Sequence, residues 1–106
     1  LKIILGHLGE GLPFLLWRID AGFSRGGGQS FRDVFCEHFY ITTSGFFSNP
    51  ALLCCVQELG VDRIMFSVDY PFVLNKPGTD WLPTIPLCAE DKVKIASGNA
   101  IRLLKL

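Results

Sequence analysis

Three residues that could carry acid–base or metal chemistry stand next to apolar runs: His7, Glu10 and Asp69. His7 follows the apolar residues 3–5, and Asp69 comes directly after the apolar run Ile64–Val68. A histidine and carboxylates in one crevice can act as general acid and base or bind a divalent metal. Asp69 is the convincing ligand of the set, but a protein metal site normally needs at least three ligands. On these residues alone, the site is incomplete.

Each of these residues also has a purely structural explanation. Asp69 could simply cap the next loop or helix, and His7 could be a core histidine bonded to a backbone carbonyl. Glu10 could be an acidic residue near a helix N-terminus, where the macrodipole favours negative charge. Arg18 could bind a phosphate or a carboxylate, or it could stack on the adjacent tryptophan or pair with a nearby acid. The residue types leave both explanations open.

The elements that must position these residues alternate between strand and helix. The apolar patterns predict strands over residues 2–7, 39–43 and 63–68, and helices over 13–19, 31–38, 50–59, 90–96 and 100–104. This βαβαβα order predicts a parallel sheet, whose strands end in polar residues at the edge where α/β enzymes keep their chemistry. Three such units are less than half of an eight-unit barrel, which takes about 250 residues.

Local signals set the expected ends of these elements. Ser30 should cap the 31–38 helix, and Asn49 should cap the next helix, which Gly60 should end. Gly98 should separate the last two helices, and Asn99 should cap the second of them. The prolines between residues 70 and 86 predict a long loop.

Composition excludes several classes of partner. The net charge is zero and the basic residues are scattered, so neither nucleic acid nor an anionic membrane surface is expected. The apolar runs are too short to span a bilayer, and no signal peptide is expected. With 49% hydrophobic and 19% charged residues, part of the apolar surface should face a partner segment.

The four cysteines have neither zinc-ribbon nor disulfide-framework spacing, so they should be small hydrophobic residues in a reducing compartment, which favours the cytoplasm. Trp17 and Trp81 should be packing residues. The chain starts at Leu1 rather than at a methionine, so it is expected to be part of a longer protein.

Several blocks, taken in chain order, share the spacing of one known family: Gly6–Phe14, Leu16–Asp20, Ile41–Gly45, Asp62–Phe72, Asp91–Ile95, Gly98–Ala100 and Arg102–Leu106. Together they resemble metal-dependent aromatic-acid decarboxylases of the amidohydrolase superfamily, in particular dihydroxybenzoate and gamma-resorcylate decarboxylases. The likeness covers nearly the whole chain, and its first two blocks are specific. The chain departs from the family at Gly26–Gln29, in a loop.

The resemblance implies an α/β fold in which residues 1–106 are the C-terminal part, strands six to eight, of a TIM (β/α)8 barrel. Asp69 would be a metal ligand that also delivers a proton to the ring carbon. His7 would assist proton handling and substrate binding, and Glu10 would be hydrogen-bonded beside it. Arg18, from its residue type, is the candidate for binding the substrate. The divalent metal would be zinc, with manganese as the second choice, and its other ligands would lie outside this chain.

The implied reaction is non-oxidative release of CO2 from a hydroxylated aromatic carboxylic acid by an intact homo-oligomeric enzyme. The 106 residues alone should be inactive. One alternative is an amidohydrolase-type hydrolase, because the same metal can activate water. Another is a non-catalytic remnant that binds a partner through exposed apolar edges. The exact substrate is not set by these residues.

Overall fold

The computed structural model describes residues 1–23 and 27–106. Its three parallel strands, β1 (Ile3–Leu5), β2 (Phe39–Thr42) and β3 (Ile64–Met65), lie in the order β1-β2-β3. Each strand pairs with the next one along the chain. The predicted parallel sheet, with helices between successive strands, is therefore confirmed.

The helices that follow the strands are numbered in chain order. They are α1 (His7–Glu10), α2 (Leu12–Phe23), α3 (Phe31–His38), α4 (Asn49–Leu59), α5 (Asn75–Trp81), α6 (Ala89–Val93) and α7 (Asn99–Leu104). Single 3-10 turns occur at Val61–Arg63 and Leu82–Thr84, and a π-helical turn at Lys94–Gly98 joins α6 to α7.

The core lies between the sheet and its covering helices. Ile41 and Ile64, from the two neighbouring strands, are fully buried, as is Leu52 of α4, and Ile95 of the π-helical turn is nearly so. Tyr40 and Met65, the neighbouring residues in β2 and β3, are also buried, which explains why these two strands read as apolar runs rather than as an alternating pattern.

The third strand is shorter than predicted. Residues 63–68 were expected to be extended, but only Ile64 and Met65 pair with β2. The N–H of Phe66 instead donates to the carbonyl of Ile95 (2.8 Å), so the C-terminal helical segment takes over the hydrogen bonding. The residues 63–68 by themselves do not indicate that a distant helical segment competes with β2 for this hydrogen bond.

The predicted loop over residues 70–86 is wrong in part, because it contains α5. Pro77 is the third residue of this helix, within the first turn, where a backbone N–H has no intrahelical partner to lose. Gly78 fits because an added Cβ would lie 2.6 Å from the Phe47 ring. The proline that suggested a loop is therefore compatible with a helix start.

Gly98 does not end a helix, so that prediction is also wrong. Its backbone is helical (φ −57°, ψ −43°), and the chain runs from α6 through the π-helical turn into α7. Asn99 is fully buried, and its side-chain amide donates to the carbonyls of Val61 (2.8 Å) and Ile64 (2.7 Å). Asn99 therefore ties the last helix to the start of β3 instead of capping the helix.

The remaining end signals have mixed outcomes. The Ser30 hydroxyl accepts the N–H of Asp33 (3.0 Å), and Gly60 ends α4 at φ 84°, both as predicted. Asn49 does not cap α4, whose cap position is Ser48. The Asn49 amide oxygen accepts the indole N–H of Trp81 instead (2.8 Å).

The outer face of α2 is unexpectedly exposed. Trp17 is 76% exposed and Phe14 is 79% exposed, so the prediction that Trp17 packs in the core is wrong. Trp81 does pack, against Phe47 with ring centroids 5.5 Å apart. In residues 1–23 and 27–106 no helix is long and apolar enough to cross a membrane.

Candidate active site

His7 and Asp69 meet beyond the carboxyl ends of the strands. His7 lies two residues after β1 and Asp69 four residues after β3. The Nε2 atom of His7 is 3.5 Å from the Oδ2 atom of Asp69. The parallel sheet therefore brings together two side chains that are 62 positions apart, as the sequence predicted.

His7 is also held by Glu10. Its Nδ1 atom is 2.5 Å from the Oε1 atom of Glu10, within the short helix α1. The backbone there is left-handed: φ is 49° at His7 and 54° at Glu10. The side chain of His7 is 47% exposed, so the alternative of a core histidine does not hold.

The two carboxylates give the imidazole of His7 a partner at each ring nitrogen. The hydrogen bond to Glu10 raises the pKa of His7 most, partial desolvation opposes it, and Asp69 adds a further rise. The charged form of His7 is favoured because both partners are acidic. An imidazole held in this way can take up or release a proton at Nε2, the atom that faces Asp69.

Asp69 also has an unusual backbone. Its φ is 68°, a left-handed value that non-glycine residues seldom adopt, and its carbonyl accepts the N–H groups of Phe72 (2.9 Å) and Val73 (3.1 Å). The carboxylate is left 31% exposed. The turn after β3 thus fixes the backbone of Asp69 and leaves its side chain available.

Sequence reasoning missed a set of hydroxyl side chains beside this pair. Thr42, Thr43, Ser44 and Ser67 form hydrogen bonds that connect the end of β2 to the segment after β3. The sequence does show hydroxyl residues directly at two strand ends. It does not show the strand register that makes Ser44 and Ser67 neighbours.

An apolar hollow of about 520 Å³ lies next to His7. Phe14 and Phe46 contribute aromatic walls, and Pro13, Pro50 and Cys54 also line it. A small aromatic molecule would find mostly apolar surface there, with the imidazole of His7 among the few polar groups.

Arg18 does not line this hollow. It lies on the exposed side of α2, beside a second open hollow that Leu15, Ile19 and Phe23 also line. The nearby carboxylate of Asp20 accepts the backbone N–H of Arg32 (3.3 Å). The role of Arg18 in binding substrate stays a prediction.

The described part of the chain does not form a complete metal site. No group of three or more histidine, cysteine, aspartate or glutamate side chains there could hold a metal ion. Asp69 offers carboxylate oxygens, the donor type that suits manganese and magnesium and that zinc also accepts. Within the described residues, the Asp69 carboxylate is therefore suited to be a single metal ligand.

Comparison with known proteins decides the family. The family model described as amidohydrolase matches residues 1–106. The chain belongs to the amidohydrolase family. The expectation from the sequence blocks is thereby confirmed at the level of the family.

The amidohydrolase relatives that match include decarboxylases. Gamma-resorcylate decarboxylase of Rhizobium sp. (strain MTP-10005) is 43% identical over 113 residues, which cover 100% of this chain and 35% of the relative. The chain thus spans about a third of the length of the curated relatives it matches.

Two solved structures have the same backbone over this segment. The first is 2,6-dihydroxybenzoate decarboxylase complexed with 2,6-dihydroxybenzoate (TM-score 0.90, 43% identity, 99% of this chain and 35% of that chain). The second is a dihydroxybenzoic acid decarboxylase from Polaromonas sp. JS666 with bound manganese and 2-nitroresorcinol (TM-score 0.90, 42% identity, 99% and 34%). The fold is accordingly a partial TIM-barrel segment of the amidohydrolase decarboxylases.

Proposed function

We propose that this chain is the C-terminal third of a metal-dependent decarboxylase that releases CO2 from a hydroxylated aromatic carboxylic acid. The observation that carries the proposal is the meeting of His7 and Asp69 in a segment 43% identical to gamma-resorcylate decarboxylase. In this assignment residues 1–106 form strands six to eight of the barrel. The remaining metal ligands come from the part of the enzyme outside these residues.

The reaction requires a proton on the ring carbon that bears the carboxylate, followed by cleavage of the bond to CO2. Asp69 is proposed as the general acid that delivers this proton and as a metal ligand. His7 supplies and recovers protons through Nε2, the atom that faces Asp69 at 3.5 Å. Glu10 keeps the imidazole of His7 oriented and charged through Nδ1.

A bound divalent metal would orient the substrate carboxylate and its neighbouring phenolic oxygen and would stabilise negative charge. Manganese is the better-supported choice, because the Polaromonas enzyme was solved with bound manganese. Zinc, expected from the family resemblance, remains the alternative. Asp69 would hold the metal from this chain.

The natural ligand is proposed to be a small aromatic acid of the dihydroxybenzoate type. One solved relative binds 2,6-dihydroxybenzoate, and the hollow beside His7 has mostly apolar walls. A homo-oligomeric enzyme in the cytoplasm, without nucleic-acid partners, is part of the same proposal. The zero net charge of the chain agrees with the last point.

The test is a complete barrel in which residues 1–106 replace the matching third of the Rhizobium gamma-resorcylate decarboxylase. We expect this barrel to bind manganese or zinc and to release CO2 from 2,6-dihydroxybenzoate. His7→Ala should lower the rate by about a hundredfold with little loss of metal, since a positioned acid–base group contributes about 10²–10⁴. His38→Ala is the matched control.

A folded, metal-loaded barrel that releases no CO2 would contradict the proposal. The family model itself favours a second candidate, because its description is amidohydrolase. If the same barrel cleaves an amide or ester and leaves aromatic carboxylates intact, hydrolysis is the correct assignment.

A further inference from the structure

A short chain of hydroxyl groups connects the end of β2 to the segment after β3. Thr42 Oγ1 lies 2.7 Å from Ser44 Oγ, which lies 3.0 Å from Ser67 Oγ. The backbone N–H of Ser44 donates to the same Ser67 oxygen (2.9 Å). Ser44 is therefore the middle residue of this series of hydroxyl groups, and two of its hydrogen bonds go to Ser67.

Thr43 holds Ser67 from the other side. It is fully buried, its hydroxyl donates to the carbonyl of Ser67 (2.5 Å), and its oxygen accepts the N–H of Ser67 (2.9 Å). These bonds replace the strand pairing that ends at Met65. Ser67, two residues before Asp69, is thereby fixed by side chains rather than by the sheet.

The turn after β2 also touches the segments that carry His7 and Asp69. A Cβ added at Gly6, the residue before His7, would lie 3.1 Å from Ser44 Oγ. One added at Gly45 would lie 2.8 Å from Val73 Cγ2 and 3.5 Å from the Cβ of Asp69. Ser44 and Gly45 therefore fill the space between the backbone before His7 and the side chain of Asp69.

Ser44 adopts a backbone conformation that its residue type disfavours. Its φ is 41°, Gly45 follows at φ 81°, and the N–H of Phe46 donates to the carbonyl of Thr43 (2.8 Å). Positive φ at both central residues is the pattern of a type I′ turn, in which glycine or asparagine would be easier to place. A strained residue persists where its surroundings determine its position, and such residues cluster at functional sites.

We propose that Ser44 is a positioning residue for the His7–Asp69 pair. Its hydroxyl is hydrogen-bonded to Thr42 at the end of β2 and to Ser67 after β3, and it occupies the space that a Cβ at Gly6, after β1, would enter. The inference rests on the proposed decarboxylase function and names the residue that sets the geometry of that site. Ser44 itself does not touch substrate in this proposal.

The test compares Ser44→Ala and Ser44→Gly in the complete barrel, with Thr79→Ala as a matched control. The Thr79 hydroxyl bonds only within its own helix, to the carbonyls of Asn75 and Lys76. We expect both Ser44 variants to lower kcat about ten- to a hundredfold with little change in KM, since a small misplacement of reacting groups has effects of this size. Thr79→Ala should change neither constant.

Ser44→Gly separates positioning from simple turn shape. Glycine accepts the left-handed backbone without strain, so this variant should fold. If it retains full kcat, the turn alone is sufficient and the proposal is overturned. Ser44→Ala and Ser67→Ala should lower kcat less than additively, because both remove the Oγ–Oγ hydrogen bond, while Ser67→Ala also removes the acceptor of the Ser44 N–H; fully additive losses would also overturn it.

A crystallographic measurement distinguishes this inference from the function itself. If the wild-type barrel releases no CO2, the decarboxylase assignment fails. The position of Asp69 relative to His7 in crystals of the wild-type and Ser44→Ala barrels then still decides the role of Ser44. Displacement of the pair supports positioning, and an unchanged pair excludes it.

Discussion

The two ends of the sheet are built in opposite ways. At the carboxyl ends of the strands, His7, Ser44 and Asp69 all have positive φ and partly exposed side chains. At the start of β3, Asn99 has ordinary helical angles, is fully buried, and donates both amide hydrogens to backbone carbonyls. The first end combines strain with accessible polar groups, whereas at the second the buried amide of Asn99 is fully hydrogen-bonded on an ordinary helical backbone.

This difference matches the division of labour in α/β barrels, where the carboxyl ends of strands carry chemistry and the other ends carry stability. Each left-handed non-glycine residue costs about 1–2 kcal/mol, and a fold keeps such residues where the position of a side chain matters. At the start of β3, here called the stable end, Arg102 also donates to the carbonyl of Asp62, and Lys94 lies 3.2 Å from the Asp62 carboxylate. The carboxyl ends of the strands, with His7, Ser44 and Asp69, are called the reactive end. Changes at the two ends should therefore affect activity and stability separately.

The largest effect is expected at the reactive end. Asp69→Asn in the complete barrel should lower kcat by about a thousandfold or more, because the amide cannot act as the general acid. Thermal unfolding of the variant should be nearly unchanged when both barrels are free of metal, since the carboxylate is partly exposed and the backbone bonds of Asp69 remain. Turnover and the melting temperature measure the two quantities.

Asp80→Asn is the control for this change, because Asp80 pairs with Lys76 on the surface of α5. It should leave turnover intact. Retained turnover in the Asp69 variant would remove Asp69 from the chemistry and erase the contrast between the two ends.

The stable end should respond in the opposite manner. Asn99→Ala removes the side-chain donor of the buried Ile64 carbonyl and of the Val61 carbonyl, which is half-buried and keeps the backbone N–H of Ile64. A buried polar group that loses its partner costs about 1–3 kcal/mol, and the free energy of unfolding should fall by that amount. Activity per folded molecule should be unchanged, as measured by turnover at a temperature well below the transition.

Asn49→Ala supplies the comparison, because that amide accepts a single bond from a half-buried tryptophan. It should destabilise by about 1 kcal/mol. If Asn49→Ala and Asn99→Ala lower the free energy of unfolding equally, the burial of Asn99 at the start of β3 adds nothing to its stabilising effect.

The sequence predicts one end of the molecule better than the other. The strand order and the meeting of His7 with Asp69 follow from apolar runs and from the geometry of parallel strands. The role of Asn99 was mistaken for a cap, because Gly98 beside it suggested a helix end and the carbonyls it reaches are 35 and 38 positions away. Local signals cannot report such distant partners.

The hydroxyl chain was missed for a related reason. Serine and threonine after a strand are typical of ordinary turns, and nothing local indicates that Ser44 has positive φ. In that conformation Ser44 bonds Ser67, which comes from the next unit of the chain.

A smaller effect is expected at Arg18, which belongs to neither end of the sheet. If its guanidinium binds a substrate carboxylate, Arg18→Ala should raise KM about tenfold with kcat nearly constant, the loss expected for a charge-assisted hydrogen bond. Arg102→Ala, at the stable end, should leave KM unchanged. Steady-state kinetics of the complete barrel with 2,6-dihydroxybenzoate measures KM and kcat for both variants.

No change in KM for the Arg18 variant would remove this residue from the substrate site. Arg18 would then be an exposed residue without a role in substrate binding, beside a hollow that His7 does not line.

The smallest effect concerns the charge of His7. Its pKa is raised chiefly by the hydrogen bond to Glu10, so Glu10→Gln should lower that pKa toward the ordinary histidine value while Asp69 maintains part of the rise. A raised pKa means that the His7–Glu10 interaction is fully present below the ordinary value and is lost as pH rises through the raised one. Between the pKa of the variant and the higher pKa of the wild type, wild-type His7 should be mostly protonated and the variant mostly neutral.

Proton NMR of the imidazole measures this directly, because the chain has two histidines and His38→Gln assigns them. In the active barrel, the limb of the kcat/KM profile that depends on His7 should move to lower pH in the Glu10 variant. A titration midpoint that does not move would mean that Glu10 leaves the charge of His7 unaffected. The reactive end would then owe its protonation state to Asp69 alone, and the strained backbone at Glu10 would need another explanation.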